Sequence, residues 1–133
     1  MTILDTNVYS ALDAGKPAAI HALRGQTSIS LPIMVVAELK FGFMNGLRRE
    51  ENETRLDTFL AQDGVELLFP SVETAKHYAM FATKCRLAGR ALSHNDLWIA
   101  ALAYSSGERF VTYDRDFEVL QDILGENLVI LCD

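Results

Sequence analysis

The stretch Met1-Thr2-Ile3-Leu4-Asp5-Thr6-Asn7 sets a short strand-forming run, Thr2–Leu4, directly before a carboxylate and two turn-forming residues. Four more short apolar runs follow, at Ser28–Leu31, Val65–Phe69, Arg109–Thr112 and Leu128–Leu131, with longer helical patterns between them. Strands that alternate with helices predict an α/β fold, in which helices flank a parallel sheet.

The helical segments carry their own punctuation. Pro17 to Arg24 reads as a short helix, because Pro suits a first turn and Gly25 an end. A second helix is predicted from near Pro32 to about Met44, stopped by Asn45-Gly46. Leu56, Phe59 and Leu60 recur at helical spacing within Asn52–Gln62, which predicts a surface helix. Ser71 is placed to cap a helix running from Val72 to about Ala88, with Gly89 just past its end. The next helix is capped by Ser93 or Asn95, passes through Asp96, Ile99, Ala100 and Ala103 to about Ser105, and ends at Gly107.

The chain has 133 residues, half of them hydrophobic and 23% charged, with few Gly and Pro and no repeat. One domain over residues 1–133 is expected, with a real core and no disordered tail. A net charge of −6 and a pI near 5.0 argue against broad nonspecific binding to nucleic acid through a basic surface. They leave room for a nucleic-acid substrate at a carboxylate-rich site offset by cations. Cys85 and Cys132 form no CxxC pattern, so neither a thiolate metal site nor a disulfide framework is expected. The amino terminus lacks the basic start and apolar run of a signal peptide, and Ile33–Ala37 is too short to cross a bilayer. The expected compartment is the cytoplasm.

In an open parallel sheet, ligands bind beyond the carboxyl ends of the strands, where the strand order reverses. With the order 3-2-1-4-5 that point lies between the first and fourth strands. Asp5 directly follows the first and Asp114 comes just past the fourth, so topology alone brings them together. Glu38 has Met34, Val35, Phe41 and Gly42 as its helical neighbours, an apolar face that a carboxylate should avoid unless it has a partner. A buried unpaired carboxylate there would cost roughly 3–5 kcal/mol. Asp96 opens a helix, where a carboxylate gains ~0.3–1 kcal/mol from the dipole, and the same position can face a site. Separated carboxylates gathered in one place repel one another, and a bound cation makes the arrangement tolerable. Oxygen ligands alone favour a hard cation, and such a site suggests hydrolysis of a phosphodiester.

Other chemistries have less support. His21, His77 and His94 share no ligand spacing and read as surface or boundary residues. No Ser or Cys sits in a nucleophile motif, and no Gly-rich phosphate loop follows the first strand. Tyr78, Phe81 and Trp98 read as core rather than as stacking platforms for bases.

Four segments together resemble a known family: Ile3-Leu4-Asp5-Thr6-Asn7, then Ala37-Glu38-Leu39 with Gly42, then Asn95-Asp96-Leu97-Trp98-Ile99-Ala100-Ala101, then Val111-Thr112-Tyr113-Asp114-Arg115-Asp116-Phe117. In this order and spacing they are similar to the PIN-domain ribonucleases, and within them to the toxins of VapBC toxin–antitoxin modules. The resemblance implies a PIN-like three-layer sandwich and a divalent-metal-dependent endoribonuclease that inhibits translation. It implies that Asp5, Glu38, Asp96 and Asp114 hold Mg²⁺ or Mn²⁺, that Asp116 is a weaker outer ligand, and that Thr6 and Thr112 support the carboxylates or bound water. Lys40, Arg48, Arg49, Arg86 and Arg90 are candidates for steering RNA. The implied partners are the RNA substrate, a VapB-like antitoxin and a second copy in a homodimer.

The chain departs from the family pattern at Leu31-Pro32-Ile33, where Ser or Thr is common, and in its individual approach Leu92-Ser93-His94-Asn95. A catalytically silent PIN domain that binds RNA or protein is the alternative from another class, and the complete quartet argues against it. A haloacid-dehalogenase-like phosphatase would need Asp two positions after Asp5, where Asn7 stands, and a receiver domain would need Asp after the third strand, where Phe69-Pro70 stands.

Overall fold

The computed structural model describes residues 1–133, with five strands hydrogen-bonded in the order β3-β2-β1-β4-β5 and every pairing parallel. Along the chain these are β1 (Thr2–Leu4), β2 (Ile29–Pro32), β3 (Val65–Leu68), β4 (Arg109–Thr112) and β5 (Leu128–Ile130). The helices are α1 (Thr6–Asp13), α2 (Pro17–Leu23), α3 (Ile33–Met44), α4 (Arg49–Leu60), α5 (Val72–Ala88), α6 (His94–Ser106) and α7 (Gln121–Leu124). Two 3₁₀ turns, Arg115–Leu120 and Gly125–Asn127, flank α7. The expected α/β sandwich and its strand order are both present.

Right-handed crossovers in this order put α1 to α4 on one face of the sheet and α5, α6 and the carboxyl-terminal turns on the other. The packing agrees: α1 meets α2 and α3, α3 meets α4, and α5 lies along α6. The central strand β1 is buried throughout and β4 from Phe110 to Thr112, pairing Ile3 with Phe110 and Leu4 with Val111. Such strands read as continuous apolar runs because helices cover both faces. The core continues through Val8, Val35, Leu39, Leu56, Phe81, Ile99, Ala100, Phe117 and Leu120. In α6 the small residues Ala100, Ala101 and Ala103 are all buried, which lets the helix lie close against its neighbours.

Several boundaries differ from the sequence expectation. Asp5 caps an eight-residue helix, α1, for which no separate element was predicted; Val8 and Tyr9 are its buried positions. Pro32 ends β2 and the helix opens at Ile33, because a residue that cannot donate to the ladder serves well at a strand end. Helix α4 starts at Arg49 rather than Asn52, with Glu50 and Glu51 in its first turn, where the dipole favours acids. Ser71 caps α5 as expected, in a reciprocal pair with Thr74, and Gly89 ends it at φ 65°. Ser93, not Asn95, caps α6, so Asp96 is the third residue of that helix and not its first. Tyr78 and Trp98 are half-buried and packed on each other at 4.6 Å, whereas Phe81 alone of the three lies fully in the core.

Candidate active site

Asp5 leaves β1 at the sheet's carboxyl edge and is only 5% exposed. Its Oδ1 accepts the Thr6 amide at 2.8 Å, and its Oδ2 accepts the Thr112 hydroxyl at 2.6 Å. The same hydroxyl accepts the Asp114 amide at 2.9 Å, so one threonine at the end of β4 orients two carboxylate-bearing residues. Asp114 in turn caps the 3₁₀ turn, its Oδ1 taking the Asp116 amide at 2.8 Å. From the first turn of α1, Asn7 Oδ1 accepts the Tyr113 amide at 3.2 Å, tying the loop after β4 to the segment after β1. Phe110 and Phe117, edge to face at 5.1 Å, anchor the loop from beneath.

Glu38 and Asp96 reach this edge from two helices. Glu38 is half-buried on α3, and its Oε1 accepts the Asn95 amide Nδ2 at 2.8 Å. The nearby Lys40 pairs instead with Glu53 at 2.7 Å, and Asn45 donates to the Phe41 carbonyl, so neither screens Glu38. Asp96 is half-buried in the first turn of α6, its amide donating to the Ser93 hydroxyl at 3.1 Å. An open cleft of about 350 Å³ runs between α3 and α6, lined by Thr6, Ala37, Glu38, Phe41 and Asn95. The Thr6 hydroxyl is buried and has no hydrogen-bond partner.

Asp5 and Asp96 both feel their acidic neighbours. Burial pushes Asp5 up from its ordinary 3.8 to about 6, against the two hydrogen bonds it accepts, and the charges of Asp96 and Glu38 add to the rise. Asp96 is also raised, first by burial and then by Asp114, Glu38 and Asp116, with the Ser93 hydroxyl beside its carboxylate opposing. All five acids named from the sequence are therefore within electrostatic reach of a neighbour in the set, Asp116 from an exposed position. As the side chains stand, no three acidic, imidazole or thiolate groups converge to chelate one ion. A hard cation nonetheless fits the donor set: the groups are all oxygen acids, the site holds no basic partner for Asp5 or Asp96, and the Thr6 hydroxyl is unsatisfied.

The basic candidates are more scattered. Lys40 is neutralised by Glu53, while Arg48, Arg49, Arg86 and Arg90 are exposed and unpaired. Arg86 and Arg90 line a separate shallow cleft with Cys85, Leu92 and Leu97. Sequence reasoning missed two polar contacts. Asn7 and Asn95 stand in the quoted motifs without an assigned role at the site, yet each makes a hydrogen bond that arranges it. Asn7 is engaged by the Tyr113 backbone, which removes it further from the role of a phosphatase acid.

A five-stranded parallel sheet of order 3-2-1-4-5, with carboxylates from two strand ends and two helices above its reversal point, defines an α/β fold with an acidic site. The PIN domain family model matches residues 2–123, and the chain belongs to that family. It is similar to Ribonuclease VapC2 of Rickettsia felis, 26% identical over 130 residues that cover 94% of this chain and 96% of the relative. It is 28% identical over 118 residues to Ribonuclease VapC5 of Mycobacterium tuberculosis, covering 89% of this chain and 86% of that one. Among solved structures, a chain of Rickettsia felis VapBC2 bound to a promoter DNA fragment superposes with a TM-score of 0.78 at 25% identity, covering 97% of this chain and 96% of that one. No helix is long and apolar enough to cross a membrane.

Proposed function

We propose that this chain is an endoribonuclease that hydrolyses RNA phosphodiester bonds and acts as the toxin of a toxin–antitoxin pair. The observation that carries the reading is the gathering of acids above the switch point of the sheet, where the charges of Asp96 and Glu38 reach the buried Asp5 and those of Asp114 and Glu38 reach Asp96. Membership of the PIN family and the likeness to VapC ribonucleases over nearly the whole chain support it.

Ribonucleases of this family depend on a divalent metal, and here Asp5, Asp96 and Asp114 would hold Mg²⁺ or Mn²⁺, with Glu38 beside them. Once bound, such an ion lowers the pKa of water and offsets charge on the phosphate and on the leaving oxygen. Thr112 sets the direction of Asp5 and of the Asp114 loop. Glu38, with Oε1 held by Asn95, presents its other oxygen to orient the attacking water and take its proton. The water oxygen bonds to phosphorus, the P–O3′ bond breaks, and the 3′ oxygen leaves as a hydroxyl with a proton from solvent, while Glu38 returns its own to solvent. The product strands then carry a 3′-hydroxyl and a 5′-phosphate.

The partners in this reading are an RNA, a VapB-like antitoxin and a second copy of the chain. Phe41, Met44 and Leu47, at and just beyond the end of α3, remain exposed, an apolar patch of the kind that partners cover. The test is expression of the protein alone in a bacterium, with and without Asp5→Ala, followed by sequencing of RNA 5′ ends. New ends and growth arrest that require Asp5 are expected. No new ends and no arrest would favour a silent binding module.

A further inference from the structure

The only protein hydrogen bond to the Glu38 carboxylate comes from Asn95, which reaches from α6 to α3 with its Nδ2 2.8 Å from Oε1. Asn95 is not needed to cap its helix, because Ser93 already accepts the Asp96 amide. Nor does Glu38 have a cation at hand, since Lys40 is committed to Glu53. A glutamate has three rotatable side-chain bonds, so an unanchored carboxylate would sample several rotamers across an open cleft. An Arg or Lys donor would hold it and cancel its charge, whereas a neutral amide holds it and leaves the charge intact.

The placement of Asn95 adds a second constraint. It directly precedes Asp96 in the first turn of α6, about 100° around the helix from it. One helical turn thus ties Glu38 on α3 to the same rigid element that carries Asp96, and Glu38 and Asn95 line one cleft together with Thr6. We infer that Asn95 is a positioning residue for the reaction: it locks Glu38 in the rotamer that orients the attacking water. Resting on the endoribonuclease reading above, this adds a residue whose effect passes through Glu38 alone.

The test uses the purified full-length protein with Mn²⁺ and a short RNA spanning a cut found by the 5′-end mapping. Asn95→Ala is expected to lower kcat roughly 10- to 100-fold, the range for residues that orient a site's ligands, with KM within about twofold of wild type. Asn95→Asp, nearly the same shape but set against Glu38 as a like charge, should lose at least as much, and it carries the test if the alanine variant fails to fold. In a Glu38→Gln background, Asn95→Ala should cost no further activity beyond about twofold, because residues acting through one contact are not additive. Independent, multiplying losses would overturn the inference, as would a raised KM at unchanged kcat, which would make Asn95 a substrate contact.

A readout apart from catalysis is the Asn95 side-chain amide signal in ¹⁵N NMR of the metal-free protein, which should move when Glu38 becomes Gln. An unmoved signal would also overturn the assignment. If wild type itself cleaves no RNA, the endoribonuclease reading fails, while the NMR comparison still reports on the contact. If wild type cleaves and Asn95→Ala matches it, only the positioning role fails.

Discussion

The Thr112 hydroxyl donates to Asp5 Oδ2 at 2.6 Å while accepting the Asp114 amide at 2.9 Å, so β4 holds both strand-end acids through one side chain. Thr112 is fully buried, and removal of its hydroxyl strands a carboxylate oxygen and an amide in its place. Thr112→Val should therefore cost about 1–3 kcal/mol in urea unfolding and cut RNA cleavage sharply. Thr112→Ser, which keeps both bonds, should stay close to wild type in both measurements.

The metal-free protein should lose stability as pH rises from about 4 to 7. Between its ordinary 3.8 and about 6, Asp5 keeps a proton in the folded state that it has released in the unfolded state. The folded state then binds more protons, so stability falls with rising pH. The full penalty, roughly 3 kcal/mol by the 1.36 kcal/mol per pKa step, is in place only above about pH 6. Asp96, also raised, acts in the same sense. Denaturation in EDTA at pH 4.5 and 7 should show Asp5→Asn gaining on wild type at the higher pH; parallel curves would contradict the shift.

Asp96→Asn should abolish RNA cleavage while leaving metal-free stability unchanged or slightly higher. The substitution removes repulsion from Asp114, Glu38 and Asp116, and the cap from Ser93 remains. A residue serving only the helix dipole would instead lose about 0.3–1 kcal/mol and leave cleavage intact.

Saturating Mn²⁺ should raise the melting temperature in the absence of any partner. A ligand at a hundred times its Kd adds about 2.7 kcal/mol to folded-state stability. The shift should vanish in Asp5→Ala. No shift at millimolar Mn²⁺ would falsify metal binding by the acidic set.

Gly64→Ala should destabilise the fold without touching the site. Gly64 stands at φ 83°, and a Cβ there would run into the Thr27 carbonyl oxygen. Its own carbonyl accepts the Ile29 amide at 2.8 Å, so the strain would fall on the start of β2. A loss of about 1–3 kcal/mol is expected in chemical denaturation, with metal-dependent cleavage per folded molecule unchanged.

Much of the fold was legible because its signals are local. The runs around Ile3, Leu31 and Val111 are short, apolar and bounded, as strands covered on both faces must be. Ser71 and Gly89 mark the ends of α5 by chemistry confined to one helix turn. Helix α1 is hard to read because it follows its strand without a loop and lacks the first-turn Pro that marks the shorter α2. The choice between Ser93 and Asn95 as a cap stayed open because both residue types can accept the amide of an early helical residue.

By itself the sequence determined which residues carry charge, to within a residue or so where strands stop, and that Asp5 and Asp114 follow strands that meet at the switch point if the order is 3-2-1-4-5. It also determined that Glu38 lies among apolar helical neighbours and needs a partner. Only the tertiary structure decided that the partner is Asn95, 57 positions away, that Thr112 reaches Asp5 across 107 positions, and that Asn7 holds the Tyr113 amide across 106. A hydrogen bond demands heavy atoms about 3 Å apart in a set direction. Residue type supplies the donor and the acceptor, but that distance exists only after β1 and β4 pair and α6 comes to rest beside α3.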